Sequence, residues 1–176
     1  MFIPIHDDTP LRVIRFQLVT LSIIVINVLV YVLTGATRGE AAFLAIAGGY
    51  GIVPAEFFGM VEPIVGYDPI SEPLTLITYQ FLHAGWWHLG SNMLFLWVFA
   101  DNVEDAFGHV AFGLFYLVCG VIGGLTHIAL APGSLSPLIG ASGAVSGVLG
   151  AYFLLYPKAR VLVIFSFLLP IRLSAL

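Results

Sequence analysis

The stretch Gly140-Ala141-Ser142-Gly143-Ala144-Val145-Ser146-Gly147-Val148-Leu149-Gly150 decides how the chain is read. Eight of its eleven residues are Gly, Ala or Ser, so a helix built from it has almost no side-chain bulk. Ser142, Ser146 and Gly150 recur every fourth residue, and so do Gly143 and Gly147. Two adjacent ridges of small residues result, a surface that lets helix backbones approach closely in lipid. The G-x-S-x-G turn of soluble hydrolases does not fit, because Ala144 stands where its second glycine belongs and nothing nearby reads as a strand. Taken alone, the stretch is open to two readings, helix packing or chemistry at Ser142.

Composition sets the class. Hydrophobic residues make up 60% of the 176 and charged residues 9%, with a mean hydropathy of +1.03. Soluble domains carry about a quarter charged residues, so this chain cannot clothe a water-facing surface and reads as an integral membrane protein. A net charge of −4, scattered along the chain, gives no footprint for nucleic acid. The single cysteine, Cys119, excludes an intrachain disulfide.

Four apolar runs are candidate spans: about 16–33, 86–100, 110–131 and 138–156. The long connection 34–82 holds five acidic residues beside apolar clusters such as Phe43-Leu44-Ala45-Ile46, which predicts a loop lying on or in the membrane surface. Asp101-Asn102-Val103-Glu104-Asp105 reads as the connection between the second and third spans. Arg12 and Arg15 precede the first span, and Lys158 and Arg160 follow the fourth; the first loop holds Arg38. That asymmetry places both span-flanking ends, and the N-terminus, on the cytoplasmic side. Residues 161–169 are apolar but too short to span and are interrupted by Pro170 and Arg172, which reads as the approach to a fifth helix.

A second cluster lies at the head of the second span. His88 and Asn92 are four apart and share a helix face. Such polar groups near membrane depth either satisfy one another or aim donors at a developing oxyanion. Spans two and four both enter from the outer face, so His88, Asn92 and Ser142 fall at one depth. Metal binding is not supported: His83 and His88 are five apart, with no cysteine cluster or carboxylate at ligand spacing. His127, near the outer end of span three, reads as a satisfied interfacial histidine, with proximity to Ser142 as the alternative its position on the outer side leaves open. Gly120 and Gly124 read as a packing pair.

These residues resemble the rhomboid family of intramembrane serine proteases. FLHAGWWHLGSNMLFLWVFADNVEDAFG, FGLFYLVCGVIGG and GASGAVSGVLGAYFLLYP are similar to the family's second, third and fourth helices in order, and Tyr50-Gly51-Ile52-Val53-Pro54 is similar to bacterial members. The resemblance implies an all-α polytopic membrane bundle forming a single domain over 1–176, with four spans and the start of a fifth. It implies Ser142 as nucleophile of a Ser–His dyad, with His88, Asn92 and the Ser142 backbone N–H as oxyanion hole. It implies transmembrane protein substrates cut in or beside their membrane segment, no cofactor, and structural roles for His83 and Glu104. A bacterial inner membrane is the expected location.

One departure stands out. The family's base is a histidine on the sixth helix, and no histidine follows Ser142 here. The expectation is therefore a C-terminally incomplete chain that does not cleave by itself. The alternatives are a pseudoprotease that binds membrane clients, or an unrelated small-residue bundle such as a transporter component. The transporter lacks support from any repeat of broken helices.

Overall fold

A computed structural model describes residues 2–36, 39–62, 70–165 and 169–174. Among these residues the chain is mostly helical. Helix α1 (Leu18–Tyr31) runs on into a π-helical turn, Val32–Ala36. The first connection carries α2 (Gly39–Tyr50), α3 (Pro54–Phe57), α4 (Glu72–Thr78) and a 3-10 turn, Tyr79–Phe81. Then come α5 (Trp86–Phe107), α6 (His109–Leu130) and α7 (Ser142–Leu155). Arg38, one of the charges that bear on orientation, lies outside the described residues.

Among the described residues, two segments are long and apolar enough to cross a membrane. They are Leu18–Gly35, with a mean hydropathy of 2.3, and His109–Leu130, at 1.8. Helix α7 is shorter than the run at 138–156, because Leu138 is held in extended form by a two-way backbone pair with Ile52 (3.1 and 2.8 Å). Its 14 residues rise only about 21 Å.

Helix α5 absorbs the acidic connection expected at 101–105. Two of the carboxylates there, Glu104 and Asp105, serve as caps for another part of the chain, while Asp101 accepts from its neighbour Asn102. Asp105 accepts the backbone N–H groups of Arg12 (2.9 Å), Val13 and Ile14 (both 2.7 Å). Glu104 accepts the N–H groups of Val19 (2.9 Å) and Thr20 (2.8 Å) and the Thr20 hydroxyl (2.6 Å). The N-cap residue of α1, Gln17, makes no side-chain cap, so Glu104 satisfies those orphan first-turn donors from a different helix. His109 Nδ1 lies 2.5 Å from the same carboxylate. Between them the chain turns at Gly108, φ +79°, where glycine carries no Cβ penalty.

Beyond α7 the chain forms strand rather than the approach to a fifth helix. Strand β1 (Phe2–Asp7) pairs antiparallel with β2 (Arg160–Phe165), which pairs antiparallel with β3 (Leu169–Ser174). Val161, Val163 and Ile164 are β-branched and suit the central strand. Pro170, without an N–H, falls on the edge strand.

The core joins α1, α5, α6 and α7, with Leu96, Phe99, Phe112, Tyr116 and Tyr152 all buried. The two small-residue ridges of α7 have different fates. A Cβ on Gly143 would lie 3.3 Å from Gly123 Cα, and Gly147 lies against the Cys119 side chain. That ridge brings α7 onto α6 at backbone contact. On the other ridge Ser146 is exposed, its hydroxyl donating to the Ser142 carbonyl (2.8 Å), and Gly150 faces open space. Ser146 and Gly150 are therefore not packing residues among the described parts of the fold. Gly120 and Gly124 are: they lie against Gln80, and against Ile52 and Tyr79.

Candidate active site

The segment that delivers Ser142 is pinned in three places. Ala55 N–H donates to the Ser134 carbonyl (3.1 Å), Ile52 and Leu138 pair, and Gly140 N–H donates to the Tyr79 carbonyl (2.8 Å). Gly140 has φ +118°, a conformation that side-chain-bearing residues rarely adopt. Ala141 then serves as N-cap, and Ser142 is the first residue of α7, exposed at its N-terminus. The first N–H groups of a helix have no intrahelical acceptor and carry a partial positive charge. Ser142 Oγ thus stands at a helix end that favours anions.

His88, in the first turn of α5, is half-buried. Its ring meets that of His83 edge to face, centroids 4.9 Å apart. The backbone N–H of Ala84 points at His88 Nδ1 across a long 3.5 Å, which assigns the proton of the neutral ring to Nε2. Nε2 faces the Ser142 segment: a Cβ built on Gly140 would lie 2.5 Å from it. Asn92 is buried one turn deeper, and its Nδ2 donates to the His88 carbonyl (3.0 Å). One of its two amide hydrogens is thereby spent on the helix backbone.

The structure therefore brings His88 to the Gly140–Ser142 turn, with Asn92 beneath it. His83 is buried beside this pair, 1% exposed. Burial, reinforced by the neighbouring His88, pushes its pKa down to about 4. Glu104 belongs to the far end of α5, among the caps. His127 lies in the last turn of α6, and no hydrogen bond joins it to Ser142 among the described residues.

Tyr79 escaped the sequence reading. Its carbonyl holds Gly140, its hydroxyl donates to the Gly120 carbonyl (2.6 Å), and that oxygen would lie 3.1 Å from a Cβ on Gly143. One aromatic residue thus joins the 3-10 turn, α6 and the head of α7. Its partners lie 41 residues and more away, beyond any local periodicity.

A family model described as "Rhomboid domain" matches residues 71–176. The chain is 36% identical over 107 residues to "Rhomboid protein 1, mitochondrial" of Saccharomyces cerevisiae, covering 58% of this chain and 31% of that protein. It is 34% identical over 114 residues to "Rhomboid-like protein 11, chloroplastic" of Arabidopsis thaliana, covering 63% and 40%. It is also 34% identical over 98 residues to "Presenilin-associated rhomboid-like protein, mitochondrial" of Homo sapiens, covering 54% and 25%. The chain thus spans between a quarter and two-fifths of these relatives' lengths. No solved structure matches.

These relatives overturn the expected bacterial inner membrane, since all three are mitochondrial or chloroplastic. The Tyr50–Pro54 stretch that suggested bacteria takes part in the fold. Ile52 pairs with Leu138 and Pro54 opens α3. With its match over 71–176, more than half of its length, the chain belongs to the rhomboid family.

Proposed function

We propose that the protein is an intramembrane serine endopeptidase whose nucleophile is Ser142. The approach of His88 Nε2 to the Gly140 turn carries this reading, because it sets a ring N–H beside the residue two places before the serine. Attack by Ser142 Oγ on a peptide carbonyl forms the Oγ–C bond and moves an electron pair onto the carbonyl oxygen. His88 Nε2–H, the uncommitted Asn92 amide hydrogen and the Ser142 backbone N–H hold that charge. The Oγ proton passes to a base. In the family this is a histidine on the sixth helix, and residues 143–176 contain no histidine.

Substrates on this reading are membrane-anchored proteins cut in or near a transmembrane segment, where small helix-breaking residues free the scissile bond from its helical hydrogen bonds. Helices α5 and α7 join the two apolar segments as spans of one membrane domain. A second reading is a rhomboid-like protein that binds membrane clients without cleaving them. The Asn92 amide favours it, since its bond to the His88 carbonyl gives that side chain a use without an oxyanion. A reconstituted cleavage assay on the protein translated from its complete reading frame separates the two. The protease reading expects products from a transmembrane reporter that vanish in Ser142→Ala, and the client-binding reading expects capture without products in either form.

A further inference from the structure

We infer that a cavity between the N-terminal segment and the end of α7 binds the phosphate of an anionic phospholipid from the surrounding bilayer. The cavity measures about 390 Å³, and its lining includes Arg12, Lys158, Asp8, Tyr156 and Leu155. Arg12 and Lys158 are 146 positions apart in sequence and exposed, so the fold brings two cations to one hollow. Neither has an ion-pair partner among the described residues.

Both cations stand on fixed backbone. Arg12 N–H donates to Asp105 (2.9 Å), and Ala159 N–H closes a turn on the Tyr156 carbonyl (3.0 Å), holding Lys158 between. The nearby Asp105 carboxylate spends its two oxygens on three backbone N–H groups. The Arg12 charge acts on that carboxylate, but among the described residues the guanidinium donates no hydrogen bond to it. Asp8 is the opposing charge that lines the cavity, its carboxylate partly engaged by the Arg160 N–H (2.8 Å). The charges of Asp7, Asp101 and Asp105 also reach the lining residue Tyr156.

The bilayer is the source that the surroundings favour. The cavity opens at the C-terminal end of an apolar helix whose Leu154 and Leu155 are 82% and 42% exposed. A phosphate between Arg12 and Lys158 leaves its acyl chains lying along these two leucines. Basic hollows at the ends of membrane helices recognise lipid headgroups in this way. No residue of the Ser142 site lines this cavity, so lipid binding stands or falls apart from the protease reading.

The test is retention of phosphatidylglycerol over phosphatidylcholine by the protein extracted from mixed vesicles, measured by native mass spectrometry. Phosphatidylglycerol is expected to be enriched. Arg12→Gln and Lys158→Gln should each lower that enrichment roughly fivefold. Arg12→Lys should keep it, and Asp8→Asn, which removes repulsion without touching a cation, should raise it. Arg15→Gln, which removes a charge at the same end outside the cavity, should change it less than about twofold. An equal loss in Arg15→Gln would mean diffuse attraction to the positive end and overturn the site. Loss of bound lipid on adding inorganic phosphate would reassign the cavity to a soluble anion, and no loss in either glutamine variant would remove it.

Discussion

Gly140 and His88 share one space: a methyl group on Gly140 would lie 2.5 Å from His88 Nε2 and 2.6 Å from Cε1. The glycine at this position therefore has two reasons, its φ of +118° and the ring edge against it. Gly140→Ala is expected to displace the imidazole and to lower proteolysis by roughly tenfold or more, the scale of losing part of an oxyanion hole. Cleavage rates of the reporter beside thermal unfolding of the same variant check this; a variant equally destabilised at a distant site should keep its rate.

The contrast between the two ridges of α7 gives a packing test. Gly143→Ala puts a methyl 3.1 Å from the Tyr79 hydroxyl and 3.3 Å from Gly123 Cα, and should cost about 1–3 kcal/mol. Gly150→Ala meets nothing within 4 Å and should stabilise by up to about 1 kcal/mol through helix propensity. Unfolding in detergent is the measurement, and equal effects at both positions would contradict the assignment of ridges.

Removing the trans cap should cost more than removing a surface charge. Glu104 is fully buried and accepts from Val19, from Thr20 twice, and pairs with His109. Glu104→Ala leaves those donors without acceptors, which predicts a loss of roughly 3 kcal/mol or more. Hydrogen exchange should locate the opening at the first turn of α1.

His83 makes stability depend on pH. Its folded pKa of about 4 lies below the ordinary value near 6.5, so the unfolded chain takes up the proton first. The contribution is complete above about pH 6.5, falls away as pH drops towards 4, and is flat below. The span corresponds to roughly 3 kcal/mol. Unfolding midpoints measured across this window should slope less in His83→Leu than in the parent protein; parallel curves would refute the assignment.

Much of this site was legible locally. Small residues at four-residue spacing announced a close helix contact, and Gly143 against Gly123 fulfils it. The His88 and Asn92 spacing placed both on one face of α5. What was not legible depends on partners far away in sequence. Asp101 to Asp105 read as a loop because its charges had no visible use, and the partners of Glu104 and Asp105 are backbone N–H groups at residues 12–20. Leu138 read as helical from its apolarity, whereas Ile52 draws it into an extended pair. The Val- and Ile-rich run from Arg160 read as a helix approach, because its strand partner Phe2–Asp7 lies at the other end of the sequence.

The central claim is that Ser142 is a nucleophile. Its most direct test is labelling by a fluorophosphonate probe of the protein, translated from its complete reading frame and reconstituted in liposomes. Labelling at Ser142 that disappears in Ser142→Ala and falls in His88→Ala is the predicted result. Labelling that survives Ser142→Ala would remove Ser142 from the mechanism.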